Sequence, residues 1–285
     1  MKCFYPVKVG NGVRPCGQCA ACLVNKSLSW KFRLEKEVLV SDIAFWLTLQ
    51  YDDEHLPRSN GIPCVSKDHC INYFHKLRRW IKNNDLKLSF KYFLVSEYGP
   101  TTLRPHYHAL LLFKLPGMAF EPMLQLRQTL YEQCKSRWYH GHVQESLFHS
   151  GVIRYLSKYV FKDAQSHLYP VPTFRLISKG IGEDYLQKLD LQGLIRDCWR
   201  DPSGLVPRYY RDKLLPSSDG ANLLHLKNKL IKQDIFQRSL DPIYAKSLAE
   251  FRDHGNEVEK FIKYQEYLLR CQKRAVERKQ KQKFL

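Results

Sequence analysis

The sequence predicts an α+β protein, and three of its features do so. Runs at 43–51, 90–95 and 104–113 are rich in apolar, aromatic and β-branched residues and read as strands. Stretches at about 23–40, 68–83, 121–138 and 149–162 carry apolar residues at helical spacing. Gly99-Pro100 supplies turn chemistry between the second and third runs, so those two strands form an antiparallel hairpin.

With 285 residues the chain has room for one or two domains, and a hydrophobic content of 44% places it among globular proteins. Its 46 Lys and Arg against 28 Asp and Glu give a formal net charge of +18, which favours a polyanionic partner, nucleic acid or anionic lipid. Its 17 tyrosines suit stacking on single-stranded bases, or a tyrosine-rich core. No apolar run is long enough to span a bilayer, and the N-terminus shows no apolar segment of the signal-peptide kind. The 9 cysteines, odd in number and unevenly spread, indicate reduced thiols in a cytoplasm rather than a disulfide framework.

In chain order, Cys3, Cys16, Cys19 and Cys22 come first. Cys16-Gly17-Gln18-Cys19 resembles a zinc knuckle, in which the glycine permits a tight turn and two thiolates face one ion. Cys22 and Cys3 can complete the set; ordinary thiols are the alternative, and iron–sulfur spacings do not match. Leu28, Phe32, Leu34, Val38 and Leu39 then form the apolar stripe of the first helix. The strand at 43–51 ends at Asp52-Asp53-Glu54, a solvated loop, and 57–66 reads as loop from Pro57, Gly61 and Pro63. Asp68 is placed to cap the next helix, which buries Tyr73, Phe74, Leu77, Trp80 and Ile81 and exposes a basic side. The strand at 90–95 leads to Glu97 at its end, and the hairpin brings Glu97 near the following strand. After a helix at 121–138, His140-Gly141-His142 reads as turn and short strand.

Two stretches carry chemistry. His106 and His108 stand two apart on a strand, so both imidazoles face one side of the sheet and make half of a divalent-metal site; incidental polar positions are the alternative. Tyr155 and Tyr159 stand four apart on the helix at 149–162, so both phenols lie on one face, with Lys158 beside it. A phenol near its ordinary pKa of about 10 is a poor nucleophile until a neighbouring cation favours the phenolate. Carboxylate, imidazoles and phenols together are the parts of phosphoryl transfer to tyrosine.

These residues carry a resemblance. Arg104-Pro105-His106-Tyr107-His108 resembles the histidine–hydrophobe–histidine motif of HUH endonucleases, and Tyr155-Leu156-Ser157-Lys158-Tyr159 is similar to the two-tyrosine motif of their rolling-circle replication initiators. More narrowly, the chain resembles the replication-initiation proteins of microviruses, in their gokushovirus branch. The further landmarks are Pro15–Cys22, Leu47–Pro57, Ser96–Gly99 and Pro207–Tyr210, which reach across about three quarters of the chain. The resemblance implies the HUH fold, a central antiparallel sheet flanked by helices with metal ligands on a central strand. It implies that His106, His108 and Glu97 hold Mg²⁺ or Mn²⁺. A tyrosine then attacks the scissile phosphate at the origin, leaving a 5′-phosphotyrosyl link and a free 3′-hydroxyl. Tyr155, three before Lys158, is implied for the first cut and Tyr159 for the second, which ends in a rejoined single-stranded circle. The partners so implied are single-stranded and replicative-form phage DNA, with a host polymerase and helicase, in the cytoplasm of a bacterial host.

The implied organisation is an endonuclease domain at 1–165 that includes the cysteine-rich knuckle at 1–22, a basic-aromatic extension at 166–220 and a helical, basic C-terminal tail at 221–285. Arg104, Arg175, Lys179, Arg208, Tyr209 and Arg211 are the expected DNA contacts, with plain surface loops as the alternative for the last five. Residues 216–221 read as a linker, and 270–285 as a basic tail. Two other functions fit parts of the sequence. A zinc-containing, non-enzymatic single-strand binder accounts for the charge and cysteines, and a phosphodiesterase using water accounts for the histidines.

Overall fold

Strand β3 (Ile43–Tyr51) sets the layering. Ile43, Phe45, Leu47, Leu49 and Tyr51 are buried in one core and Trp46 in another, because successive side chains leave opposite faces of a strand. Around β3 the computed structural model shows a five-stranded sheet, wholly antiparallel, with β6 (Ser89–Tyr98), β7 (Pro105–Lys114), β8 (Gly141–Ser146) and β9 (Arg175–Ile177) in the order β8-β3-β7-β6-β9. The structure describes residues 3–10, 12–115, 117, 119–162, 169–186, 207–214, 264, 267, 268, 270, 271 and 274.

Helices cover both faces. On the first, α2 (Lys67–Asn83) and α3 (Phe120–Ser136) bury Tyr73, Phe74, Leu77, Ile81 and Leu130 with Trp138 against the odd-numbered residues of β3. On the second, Leu34 of α1 (Ala20–Val38) and Val152, Ile153, Leu156 and Tyr159 of α4 (Ser150–Lys162) join Trp46, Phe93, Val95, Leu110 and Leu112. Truncating one such buried leucine to alanine typically costs roughly 2–5 kcal/mol. Ser27 Oγ donates to the Ser157 carbonyl at 2.8 Å, which fastens α4 to α1. The chain divides into two compact units, Met1–Lys26 with Ile195–Leu285 and Ser27–Leu194. The described part of the first holds the short hairpin β1 (Val7–Val9) and β2 (Gly12–Arg14), the start of α1, and α6 (Arg208–Leu214). The second holds the sheet, the rest of α1, α2 to α4, the small hairpin β4 (Arg58–Ser59) and β5 (Ile62–Pro63), and α5 (Glu183–Leu186).

The structure corrects several expectations. Ser66, not Asp68, caps α2 by accepting from His69 N–H at 3.3 Å; Asp68 lies in the first turn, where its negative charge suits the positive end of the helix dipole. Glu97 lies inside β6 rather than after it, because the strand runs on to Tyr98. Surface loops, the alternative reading for Arg175 and for Arg208 to Arg211, do not describe either: Arg175 begins β9, which pairs with β6, and Arg208–Leu214 is helical. The loop at 57–66 contains the β4–β5 hairpin. The linker at 216–221 lies outside the described residues. So does the tail at 221–285, apart from residues 264, 267, 268, 270, 271 and 274, which are helical. Eight cysteines are described, all as free thiols. Among the described residues no helix is long and apolar enough to cross a membrane.

A polar seam runs beneath the helical layer of the first face. The buried Tyr107 hydroxyl accepts from Ser66 N–H at 2.7 Å and meets the Tyr51 hydroxyl at 2.8 Å, which in turn meets His69 Nδ1 at 3.0 Å. His69 stacks on His140 with centroids 3.9 Å apart. Gly141, at φ +144°, follows, because a Cβ there would collide with the backbone of residues 50–52. Burial pushes the His140 imidazole down to about 4, helped by the charges of His69, His55 and Lys76; burial also lowers His69. Their folded pKa values lie below the unfolded value of about 6.5, so the neutral forms stabilise the fold. That contribution is fully present above about pH 6.5 and is lost as pH falls toward about 4, because the unfolded chain binds protons first. Thermal denaturation across that window should show a shallower decline for His140→Phe than for the parent; parallel curves would assign the acid sensitivity to other groups.

Candidate metal and tyrosine site

The β6–β7 ladder pairs Glu97 directly with His106, and β7 alternation returns His108 to the same face. His106 Nε2 lies 3.7 Å and His108 Nε2 3.5 Å from the same Glu97 oxygen, Oε2. The three side chains keep only 14–20% exposure, enough for a ligand to approach from one side. Each ring is held from behind. His106 Nδ1 meets the Arg104 carbonyl at 3.2 Å, and His108 Nδ1 meets Thr48 Oγ1 at 3.2 Å. An Nδ1–H donated to a backbone carbonyl leaves the His106 Nε2 lone pair facing Glu97, the arrangement a metal-binding imidazole needs. Trp46 stacks on His108 with centroids 5.2 Å apart. The ligand atoms of Glu97, His106 and His108 all lie within 4.8 Å of one another, so two nitrogens and an oxygen converge in a way that fits a divalent cation with positions left for substrate.

The tyrosine helix meets this cluster. Tyr155 donates to Glu97 Oε2 at 2.8 Å, and Tyr159 donates to the same oxygen and is also hydrogen-bonded to the Tyr155 hydroxyl. Tyr155 also meets His108 edge-on at 5.3 Å between centroids. Tyr155 is half-buried, whereas Tyr159 is only 4% exposed. Burial, then the Glu97 carboxylate, pushes the Tyr155 phenol up to about 12, and the same two causes raise Tyr159 further. Both phenols are therefore protonated donors to Glu97 in the free protein. Lys158 is exposed on the turn between them. A cleft of about 380 Å³ adjoins the cluster, lined by Thr48, Gln50, Thr102, Arg104, His106, His108 and Gln144 among others.

In the N-terminal unit the four expected cysteines converge. Cys3 Sγ lies 3.4 Å from Cys16 Sγ and 3.8 Å from Cys19 Sγ, and Cys16 Sγ lies 4.0 Å from Cys22 Sγ. A tetrahedral zinc with sulfurs at about 2.3 Å requires sulfur–sulfur edges of about 3.8 Å, and these separations bracket that value. Backbone N–H groups of Phe4, Cys16 and Cys19 point at sulfurs of Cys19, Cys3 and Cys16 at 3.4, 3.2 and 3.3 Å. Although burial opposes it, the N–H groups of Phe4 and Cys22 help bring the Cys19 thiol down to about 6, whereas burial pushes Cys22 up to about 12. The donor set fits a thiolate-bound ion.

The remaining expected residues are dispersed. Arg104 lines the cleft, its guanidinium engaged by Asp53 at 2.6 Å and by the Tyr51 carbonyl at 2.8 Å. Arg175 pairs with Val95 across the β6–β9 ladder, so its half-buried side chain shares the sheet face of Glu97. Lys179 and Arg208 are exposed and Tyr209 is half-buried; Arg208 and Arg211 lie on α6, Arg208 paired with Asp212 at 2.8 Å. Thr48 and Trp46, which buttress His108, were not legible as site residues. Their signal is a polar residue breaking the apolar alternation of β3, but only the β3–β7 register places Thr48 opposite His108.

A two-histidine strand and a two-tyrosine helix meet at one carboxylate, and the stretch that carries them is similar to proteins named for phage replication. Residues 44–164 match the family model of replication-associated protein ORF2, a stretch that begins within β3 and closes just after α4. Replication-associated protein VP4 of Bdellovibrio phage phiMH2K is 29% identical over 211 residues, covering 70% of this chain and 66% of its own length. Replication-associated protein ORF2 of Spiroplasma virus 4 is 30% identical over 185 residues, covering 61% and 57%, and ORF4 of Chlamydia phage 1 is 27% identical, covering 56% and 40%. The matched stretch therefore spans less than two thirds of the length of each of these relatives. No solved structure matches the chain. The chain is thus similar to the replication-associated proteins of these phages.

Groups that orient metal ligands typically change affinity about 10–100-fold when removed. Thr48→Val should accordingly weaken Mn²⁺ binding about tenfold or more without unfolding the protein, and Glu97→Ala should weaken it further. Titration of the parent and both variants with Mn²⁺, read by calorimetry, checks this; identical affinities would remove these groups from the metal site.

Proposed function

We propose that this chain initiates rolling-circle replication of phage DNA as an HUH-class nickase and strand transferase. The observation that carries the proposal is the convergence of both tyrosine hydroxyls and both imidazole Nε2 atoms on Glu97 Oε2. His106, His108 and Glu97 would hold Mg²⁺ or Mn²⁺, whose chemistry is to stabilise charge developing on a phosphate oxygen. The remaining work falls to the chain. Tyr155 is the more accessible phenol and the one packed on His108, which supports it for the first cut. Its oxygen forms a bond to phosphorus while the bond to the 3′-oxygen breaks, leaving a 5′-phosphotyrosyl link and a 3′-hydroxyl. Because its phenol is held above the ordinary range, it gives up its proton only as the new bond forms, and in balance the departing 3′-oxygen takes up one proton to leave as the hydroxyl. Exposed Lys158 is available to balance phosphate charge. Tyr159 waits one helical turn away for the second cut, after which the free 3′-hydroxyl displaces the first tyrosine and closes a circle.

Origin DNA, single-stranded and replicative-form, is the substrate of this reading. A host polymerase and helicase extend and unwind it, in the cytoplasm of a bacterial host. Arg175 and Lys179 in the second unit, and Arg208, Tyr209 and Arg211 in the first, are the DNA contacts of this reading. Arg104 serves first to hold Asp53 and the Tyr51 carbonyl at the cleft wall. The four N-terminal cysteines take a structural zinc, and elemental analysis should find about one zinc per chain. Folded protein free of zinc would end that assignment.

The tyrosines decide the mechanism. Phenylalanine removes only the hydroxyl and keeps the ring contacts, so each variant should fold. With a labelled origin oligonucleotide and Mn²⁺, a denaturing gel should show a covalent adduct for the parent. Tyr155→Phe should strongly reduce it, Tyr159→Phe should nick but fail to recircularise, and the double variant should give none. Cleavage without any adduct would transfer the reaction to water, and an adduct in the double variant would move the nucleophile elsewhere.

A further inference from the structure

The sheet face opposite the metal cluster carries a second feature. Where α2 ends beside the α3–β8 connection there is a groove of about 360 Å³, lined by Lys76, Arg79, Trp80, Asn83, Arg137 and Tyr139 among others. Three of these are cations, and the described lining includes no carboxylate. Neutralising the C-terminal dipole of α2 does not require this, since Lys82 already occupies its last turn. Three cations gathered without acids repel one another, and a polyanion reverses that cost.

The aromatics are held for use. Tyr139 is 49% exposed, although its chain neighbours are both anchored. On one side Trp138 is buried and donates from Nε1 to the Gln50 carbonyl at 2.9 Å; on the other His140 stacks on His69. Lys76 Nζ sits 3.6 Å from the Tyr139 ring centroid, and Arg137 lies over Trp80 at 5.7 Å. A ring presented to solvent on a fixed backbone, with one face backed by a cation, is a stacking platform already ordered before a base arrives. The β8 strand that follows Tyr139 turns Gln144 into the cleft beside the metal cluster, so β8 joins the two places along one sheet edge.

We propose that this basic–aromatic groove is a second binding site for single-stranded nucleic acid, taking bases on Tyr139 and Trp80 and phosphates on Lys76, Arg79 and Arg137. It rests on the replication reading only for the choice of DNA as ligand. The site holds the strand beyond the reacting phosphate, so it contributes to binding long strands and not to cutting short ones.

The test uses the full chain and fluorescence anisotropy with oligothymidylates of about 8 and about 30 nucleotides, the first filling a single site and the second long enough to engage two. The Arg79→Gln/Arg137→Gln variant should bind the long strand at least about tenfold more weakly, and its log–log salt slope should be shallower by about 1.4, two phosphates at roughly 0.7 each. Tyr139→Ser should lose about tenfold on the long strand, the effect of one stacked base. Binding of the short strand should weaken less than that of the long strand in all of them, because the short strand still occupies the cleft beside Glu97, with circular dichroism showing the fold intact. Unchanged long-strand affinity and slope would overturn the proposal. So would poly-glutamate displacing the long strand from the parent as well as unlabelled oligothymidylate does, which would make the groove a surface for an acidic protein. Adduct formation on a short origin oligonucleotide, run in parallel, reports on the catalytic reading alone: its absence leaves the groove result standing, and the reverse holds equally.

Discussion

Pairing of Glu97 with His106 across the β6–β7 ladder is the contact on which the site depends. Side chains alternate with period two, so a slip of one residue would put Glu97 opposite Tyr107 or Pro105 and turn the carboxylate away from the imidazoles. The register is protected from both sides of the sheet. Leu110, Leu112 and Phe93 are buried on the metal face, and Tyr107, Ala109, Leu111 and Phe113 on the other. A slipped ladder would expose both sets at once. At roughly 1.5–3 kcal/mol for each large apolar side chain, the penalty exceeds anything a three-residue polar cluster could offset. The hydrophobic runs that look purely structural are therefore what fixes the geometry of the carboxylate–imidazole cluster.

Much of this was legible because it is local. The bounds of β3 follow from its composition, the two histidines from period two, and the two phenols from the i, i+4 spacing of a helix. Glu97 was placed near the histidines by the hairpin alone. The features that were missed depend on partners distant in sequence. Thr48 becomes a support for His108 only through the β3–β7 register, a relation 60 residues apart. Strand β9 is three residues long and exists because β6 offers it an edge; its own composition, interrupted by glycines nearby, says loop. The cap of α2 was misplaced by two residues because Ser66 and Asp68 are both capping types, and Ser66 is the one whose backbone is extended.

Glu97 has two uses that compete. In the free protein one of its oxygens accepts from both phenols, and that carboxylate, together with burial, holds the phenols protonated. As a metal ligand the same oxygen would be less available to them. The hydroxyls are thus ordered in the free protein but not activated as phenolates. Two phenols share one acceptor, and their rings stand only 5.0 Å apart, so either hydroxyl needs little movement to take the position of the other. That near-equivalence is what the proposed two successive cuts would require of the site.

The two faces of the sheet divide the tasks. The metal face is only partly covered: α4 and α1 close it over Trp46 and Leu110, while Gln50, His142 and Gln144 stay exposed toward the β8 edge. The opposite face is sealed by α2 and α3 around fully buried Tyr73, Phe74 and Leu77. A polar line through it, from Tyr107 through Tyr51 to His69, begins at the residue between the two histidines and ends under the α2 helix. The middle position of the His-Tyr-His stretch therefore does more than fill a core. Its hydroxyl fastens β7 to the N-cap of α2 through Ser66, so the strand bearing the imidazoles is held rigid from behind while its front stays open.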